Sequence, residues 1–330
     1  MKLYIASCVK DGGIYHYERN ENGALTLVEK TELDRPMYMI IENGRMYVVL
    51  KAPCAEEESG VIVYDLDEAG RLCNPSQMLC TRGVEACHIA VNKGAIYCAN
   101  YTTGSVILLP DPKSAGSQNT GALKEVLVQH SGHGPHPTRQ KGPHTHFVGM
   151  TPDGKYLCVT DLGLDTIFLY HPDMTLHTSV KVPEGHGVRH LAFSEDGKYL
   201  FAANELGSTV AAYAYRDGEP AFLDLCPALP ATFTGESTIA AIRVKDGLIY
   251  VSNRGHDSIA VLQFAHEKLR LLKTYPCGGS SPRDFIFAGE DIVCTNQFGN
   301  NVTILDGTKD FVLREELQIA APLCACCYQC

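Results

Sequence analysis

The sequence predicts an all-β chain folded as a seven-bladed β-propeller, one domain spanning residues 1–330. Three observations predict it. One strand–turn–strand pattern recurs seven times, the signature of a repeat architecture. The recurring strands are short, rich in Val, Ile, Tyr and Phe, and separated by Gly, Asp and Asn turns. No long stretch shows the 3.6-residue period of an amphipathic helix.

The copies read LYIAS with GGIYHY, MYVVL with SGVIVY, then IYCANYTTGSVILL, YLCVTDLGLDTIFLY, YLFAANELGSTVAAY, IYVSNRGHDSIAVL and IVCTNQFGNNVTIL. The residues ending their first strands are Ser7, Leu50, Asn100, Thr160, Asn204, Asn253 and Asn296, at steps of 43, 50, 60, 44, 49 and 43 residues. Six copies are preceded by a further short strand that fits the innermost place in a blade: PMYMII, ACHIAV, THFVGM, VRHLAF, AAIRV and PRDFIF. The first copy lacks one, and PLCACC, starting at Pro322, lines up with PMYMII, starting at Pro36. The C-terminal strand is therefore expected to join the N-terminal blade and close the ring, which removes two exposed strand edges. That gives Cys324, Cys326, Cys327 and Cys330 a structural role, since no second CxxC pair completes a zinc site. Residues 110–145 form the one long inter-blade loop, ending in HSGHGPHPTRQKGPHTH, and should cover one face of the ring.

Composition narrows the function. Of the 330 residues, 38 are acidic and 28 basic, a net charge of −10 that argues against nucleic-acid binding while leaving room for a local basic pocket. No run of about 18 apolar residues suggests a membrane span, and the apolar start MKLYIAS is too short for a secretory core. Most of the 14 cysteines sit in apolar runs such as IYCAN and YLCVT, so reduced, buried thiols in a cytoplasmic protein are expected.

Repeats provide their own internal control: matched positions that differ chemically mark where function was placed. At the start of the inner strands stand Met37, Cys87, His146, Arg189, Ala240, Arg283 and, in the tail, Leu323. After the strand-ending residues stand Cys8, Lys51, Tyr101, Asp161, Glu205, Arg254 and Gln297. Both sets turn polar over copies four to seven, which gathers His146, Arg189, Arg283, Asp161, Glu205 and Arg254 at one sector of one mouth of the ring. This rests on register, and a slip of one residue would turn a side chain to the other face. Asp161 has an equally good reading as a turn brace in DLGLD, and the recurring Asn100, Asn204, Asn253 and Asn296 read as turn residues. His190, next to Arg189 on a strand, should point away and pack. Among His130, His133, His136, His144 and His146, the HxH pair shares one face, yet no Cys or paired carboxylate completes a metal site, and no metal or cofactor is expected.

A histidine, a glutamate and several arginines suit a small anionic substrate. Arginine grips carboxylate or phosphate through two hydrogen bonds, a neutral histidine takes a proton from water, and a guanidinium stabilises an oxyanion. These parts describe water-driven opening of an ester or lactone, or its reverse. No GxSxG elbow, P-loop or dinucleotide fingerprint is present.

The segments GPHTHFVGMTPDGKYLCVTDLGLDTIFLY, GVRHLAFSEDGKYLFAANELGSTVAAY, IYVSNRGHDSIAV and SSPRDFIF, with the upstream RQKGPH, resemble the lactonase family of seven-bladed propellers over nearly the whole chain. That family includes bacterial 6-phosphogluconolactonases and fungal carboxy-cis,cis-muconate cyclases. The resemblance implies a catalytic set of His146, Arg189, Glu205 and Arg254, four residues that the register argument also selects. It implies hydrolysis of 6-phosphogluconolactone in the oxidative pentose phosphate pathway: His146 would activate water, Arg189 and Arg254 would hold phosphate or oxyanion, and Glu205 would orient an arginine or protonate the leaving oxygen. Arg283, Asp161 and His144 are expected to bind substrate. The expected partner is a small anionic lactone, with no nucleic acid and no membrane. A muconate-type cycloisomerase, another sugar lactonase and a non-catalytic binding propeller are the alternatives. The acidic CAEEESG segment makes one rim more negative than a phosphate site favours.

Overall fold

A computed structural model describes residues 1–20, 23–114 and 123–328. Seven antiparallel sheets follow one another around a ring. Blade 1 is closed by the tail: Pro322–Tyr328 pairs with Lys2–Ser7, with Tyr4 opposite Cys326 and Ile5 opposite Ala325. The inner strands of blades 2 to 7 are Pro36–Glu42, Ala86–Asn92, Thr145–Met150, Val188–Phe193, Thr238–Lys245 and Pro282–Ala288. The seven-bladed ring and its closure therefore match the sequence expectation. Cys330 lies outside the described residues.

Each sheet is buried on both faces, which is why strands such as Leu157–Asp161 and Asp291–Asn296 are fully buried along their length rather than alternating. The core is divided into clusters between adjacent blades. Ile167 and Leu169 of blade 4 meet Leu191, Leu200 and Tyr213 of blade 5. Val210 and Ala212 of blade 5 meet Ile249 and Val251 of blade 6 on the other face. Cys98, Cys158, Cys294 and Cys324 are members of such clusters and act as small apolar fillers.

Three expectations are corrected. Among the described residues eleven cysteines are free, but Cys54 and Cys80 form a disulfide. It ties the acidic Ala55–Glu57 turn to Leu79–Val84, a fifth strand that pairs with Glu58–Leu66 and makes blade 2 larger than its four-stranded neighbours. The segment 110–145 is not all loop, because Val126–Gln129 is the outer strand of blade 3. The register of copy four is one residue off. Thr145 pairs with Asp161, as Val188 pairs with Asn204 and Pro282 with Asn296. Asp161, not Thr160, thus ends its strand, and Leu162 occupies the place of Glu205.

Truncation after Ala321 removes Cys324 and Ala325 from two inter-blade clusters, and the buried Leu323 with them. Loss of that burial alone costs about 3–5 kcal/mol, and the exposed edges of blade 1 add to it. The truncated chain is expected to melt far below the full one, or to aggregate, in a thermal denaturation experiment.

Candidate active site

Every blade carries the same local irregularity. In each inner strand the pairing skips one residue, and the residue left over is Leu323, Met37, Cys87, His146, Arg189 or Arg283, with Ala240 and Ala241 sharing the place in blade 6. This is a β-bulge, which bends the strand and re-aims a side chain. The inner-strand position selected from sequence is therefore the bulge itself. The second set is also held alike. The backbone N–H of Cys8, Lys51, Tyr101, Leu162, Glu205 and Gln297 each donates to the residue just before an inner strand, as in Glu205 to the Gly187 carbonyl at 2.7 Å.

Together the two sets enclose a cavity of about 400 Å³. His146, Glu205, Arg254 and Arg283 line it, as do Lys51, Tyr101 and Gln297. Arg189 lies beneath, against a void of about 10 Å³, roughly one water in size. Arg139, not singled out from sequence, also lines the main cavity. Its Nη2 reaches Tyr101 Oη of blade 3 at 3.1 Å and Glu205 Oε1 of blade 5 at 2.6 Å. It thus spans blade 4, where the matched residue is the apolar Leu162. Two signals could have found it: the basic RQK run, and, among copies four to seven, the one whose mouth position is apolar once the register is right.

Glu205 is the centre of the charge network. Its Oε2 lies 3.0 Å from Arg189 Nε and 2.9 Å from Arg254 Nη2, and its Oε1 takes Arg139. Burial would raise the carboxyl pKa, but the guanidinium groups of Arg254, Arg189 and Arg139 outweigh it and hold the group well below the usual carboxylate range. Both oxygens are ion-paired and the group stays ionised, so it anchors arginines and does not deliver a proton. Burial, with Arg254 and Arg283 nearby, brings the Arg189 guanidinium down to about 9, still protonated at neutral pH. Its Nη1 donates to the Ala240 carbonyl at 2.8 Å.

His146 is buried, with its ring edge-on to Tyr101 and His190. Burial and the positive charge of Arg189 push its pKa well below 6.5, so the ring is neutral at neutral pH. Nδ1 lies 3.7 Å from Cys87 Sγ, and Nε2 has no partner among the described residues. Burial raises the Cys87 thiol to about 12, which excludes a thiolate–histidine dyad. Arg283 differs from its neighbours. Lys51 pairs with Glu85 at 2.6 Å and Arg35 with Asp34 at 2.8 Å. Arg283 has no carboxylate within ion-pair distance among the described residues, only Gln297 Oε1 at 3.4 Å.

Asp161 and His144 do not line the cavity. Asp161 is fully buried and braces its turn, accepting from the N–H of His144 and Leu164 and pairing with His130 Nδ1 at 2.6 Å. It stands in blade 4 where the other blades have a buried asparagine, but it works the opposite way: Asp161 accepts, whereas Asn204 Nδ2 donates to Thr209 and Asn253 Nδ2 to Ser258. His144 stacks on Tyr101 and bonds its carbonyl, so it supports a cavity residue from behind. The approach is tight, since a Cβ on Gly163 would meet the Gly142 carbonyl oxygen at 1.9 Å. His136 is spent on the backbone of Thr138 and Arg139, and no metal-binding group of three is found among the described residues. His190 was expected to point away from Arg189. Because Arg189 sits in the bulge, strict alternation fails, and His190 Nε2 instead accepts from Arg189 Nη1 at 3.1 Å.

Replacing Glu205 by Gln leaves three arginines without their shared counter-charge. Breaking a buried pair on one side costs about 3–5 kcal/mol, so Glu205→Gln is expected to lower the urea midpoint markedly. An unchanged midpoint would mean that the arginines do not depend on it.

The comparisons agree with this architecture. The family described as "Lactonase, 7-bladed beta-propeller" matches residues 2–316. An uncharacterised protein of Staphylococcus aureus is 32% identical over 321 residues, covering 93% of each chain. A crystal structure from Lactobacillus plantarum superposes with a TM-score of 0.85 at 28% identity, over 98% of this chain and 99% of that one. A candidate 6-phosphogluconolactonase from Bacteroides fragilis superposes with a TM-score of 0.84 at 25% identity, over 98% and 96%. With a bulge-built basic cavity at one mouth of a seven-bladed ring, the chain belongs to the lactonase family of β-propellers.

Proposed function

We propose that this lactonase-family chain hydrolyses a sugar lactone bearing an anionic group, with 6-phosphogluconolactone the best-fitting substrate and 6-phosphogluconate the product. The observation that carries the reading is His146: a neutral imidazole with an unpartnered Nε2, on the wall of a cavity whose opposite charges are mostly arginine. The similarity to the Bacteroides fragilis structure supports the phosphorylated substrate. The reading places the reaction in the oxidative pentose phosphate pathway and in the cytoplasm, where the eleven free thiols among the described residues remain reduced.

With its Nδ1 hydrogen directed at Cys87, His146 accepts a proton at Nε2 from a water molecule as that oxygen attacks the lactone carbonyl carbon. The carbonyl oxygen becomes an oxyanion stabilised by Arg254 and Arg139, both held in place by Glu205. Collapse breaks the bond between the acyl carbon and the ring oxygen, and His146 returns its proton to that oxygen as it leaves. A carboxylic acid and a free hydroxyl result, the acid releases its proton to solvent to leave the carboxylate, and no cofactor is consumed. Arg283, the cation without a carboxylate, holds the phosphate. Arg189 acts through Glu205 rather than on the substrate, because it lies below the cavity floor.

His146→Ala is expected to lower kcat by about 10²–10⁴-fold, and normal turnover would remove it from the mechanism. Protonated His146 cannot act as base, and its pKa lies below the ordinary 6.5. The acid limb of the kcat/KM profile is therefore expected below pH 6.5, with activity retained through the range where an exposed histidine would titrate. In a pH-stat comparison, Arg283→Ala is expected to reduce kcat/KM for 6-phosphogluconolactone by about 10–100-fold more than for gluconolactone, the worth of one charge-assisted contact. Equal losses on both would deny Arg283 the phosphate.

A further inference from the structure

The cavity does not end at Arg254 and Arg283. A groove of about 410 Å³ runs outward between blades 6 and 7 and shares Arg254, Arg283 and Gln297 with the main site. Anything bound there is therefore next to whatever occupies the cavity. One wall is Phe298, which is 73% exposed, the largest exposure of any bulky apolar side chain described. Its backbone is not loose: the N–H donates to the Ser280 carbonyl at 3.2 Å. The facing wall is formed by Glu236, Ser237 and Thr238; the Ser237 hydroxyl donates to the Arg254 carbonyl at 3.0 Å, which leaves its oxygen to accept. That wall is brought close by Gly255, where φ is +102° and a Cβ would meet the Glu236 carbonyl oxygen at 2.3 Å.

The chemistry of the two walls limits what fits. Among the described residues Phe298 is the one bulky apolar side chain in the groove, so an alkyl tail would lie against polar groups on its other sides. Glu236 forms no ion pair among the described residues and repels a second anion, while Arg254 and Arg283 repel a cation at the inner end. A neutral group with one flat C–H face and an edge of hydroxyls satisfies both walls: the face lies on the aromatic ring, and the hydroxyls bond the carboxylate and the Ser and Thr side chains. A pyranose ring has this form.

We propose that the groove is a glycosyl subsite, so that the substrate class of this lactonase includes lactones carrying a second sugar ring, the aldobionolactones. The inference rests on the lactone-hydrolase reading and adds a second substituent to its substrate. Phe298 is a specificity residue here, with no part in the bond-breaking step.

The test compares initial hydrolysis rates of glucono-1,5-lactone with those of its α- and β-1,4-glucosyl derivatives, maltobiono- and cellobiono-1,5-lactone. At least one disaccharide lactone is expected to show a kcat/KM about tenfold higher. Phe298→Ala is expected to abolish that advantage with glucono-1,5-lactone unaffected, and Phe298→Tyr to restore it. Equal rates on all three lactones, or a Phe298→Ala loss shared by glucono-1,5-lactone, overturns the subsite while lactone hydrolysis stands. Calorimetric binding of maltobionate and cellobionate, with gluconate as reference, separates the two readings. If no lactone is hydrolysed yet an aldobionate binds in a Phe298-dependent way, the hydrolase reading falls and the subsite stands. If neither aldobionate binds better than gluconate, the subsite falls whatever the turnover.

Discussion

Everything at the mouth of this propeller depends on one buried carboxylate. Glu205 sits among Arg139, Arg189 and Arg254, which come from three different parts of the chain. Three guanidinium groups so close would repel one another and resist burial without a shared anion. Glu205 makes their convergence possible and uses both its oxygens in doing so. That leaves the cavity with an excess of positive charge inside a chain of net charge −10, and it leaves the proton chemistry to the neutral His146. The separation of roles follows from environment: the carboxyl pKa is driven down by Arg254, Arg189 and Arg139, and the imidazole pKa by burial, Arg189 and Arg283.

The ring supplies the geometry through a repeated defect. A bulge at the start of each inner strand frees one side chain per blade from strict alternation. In blades 1 to 3 it frees Leu323, Met37 and Cys87, which give the cavity a soft apolar side. In blades 4, 5 and 7 it frees His146, Arg189 and Arg283. The scaffold treats these positions alike, and only residue identity makes one sector reactive. Blade 4 departs further, because its mouth position is Leu162 and Arg139 crosses over it to join blades 3 and 5.

Much of this was legible in sequence because repeats can be aligned to one another. Matching copies placed the strands, the ring closure, His146, Glu205, Arg254 and Arg283. The same method failed by one residue at Asp161, where Thr160 was aligned with Asn204. Side-by-side alignment of YLCVTD with YLFAAN shows Asp161 in the asparagine's place, and the structure shows a different brace there: the carboxylate accepts two backbone N–H groups, whereas the asparagine amide donates. Arg139 escaped because it belongs to no repeat. Cys54 and Cys80 escaped because their pairing depends on a fifth strand that only blade 2 carries.

The sequence by itself determined the number of blades, their order and the positions that could differ, since periodicity is a local property of the chain. Tertiary structure alone decided which of those positions share a charge. Arg139, Arg189 and Arg254 lie 66, 16 and 49 residues from Glu205; repeat register brings Arg189 and Arg254 to its sector, but nothing in the spacing says that they pair with it or that Arg139 joins them. Coulomb interaction depends on distance in space and on the exclusion of water, and both are set only when the ring closes. The 14 cysteines show the same division. Their apolar neighbours marked most of them as buried filler, while the one disulfide required two strands to meet.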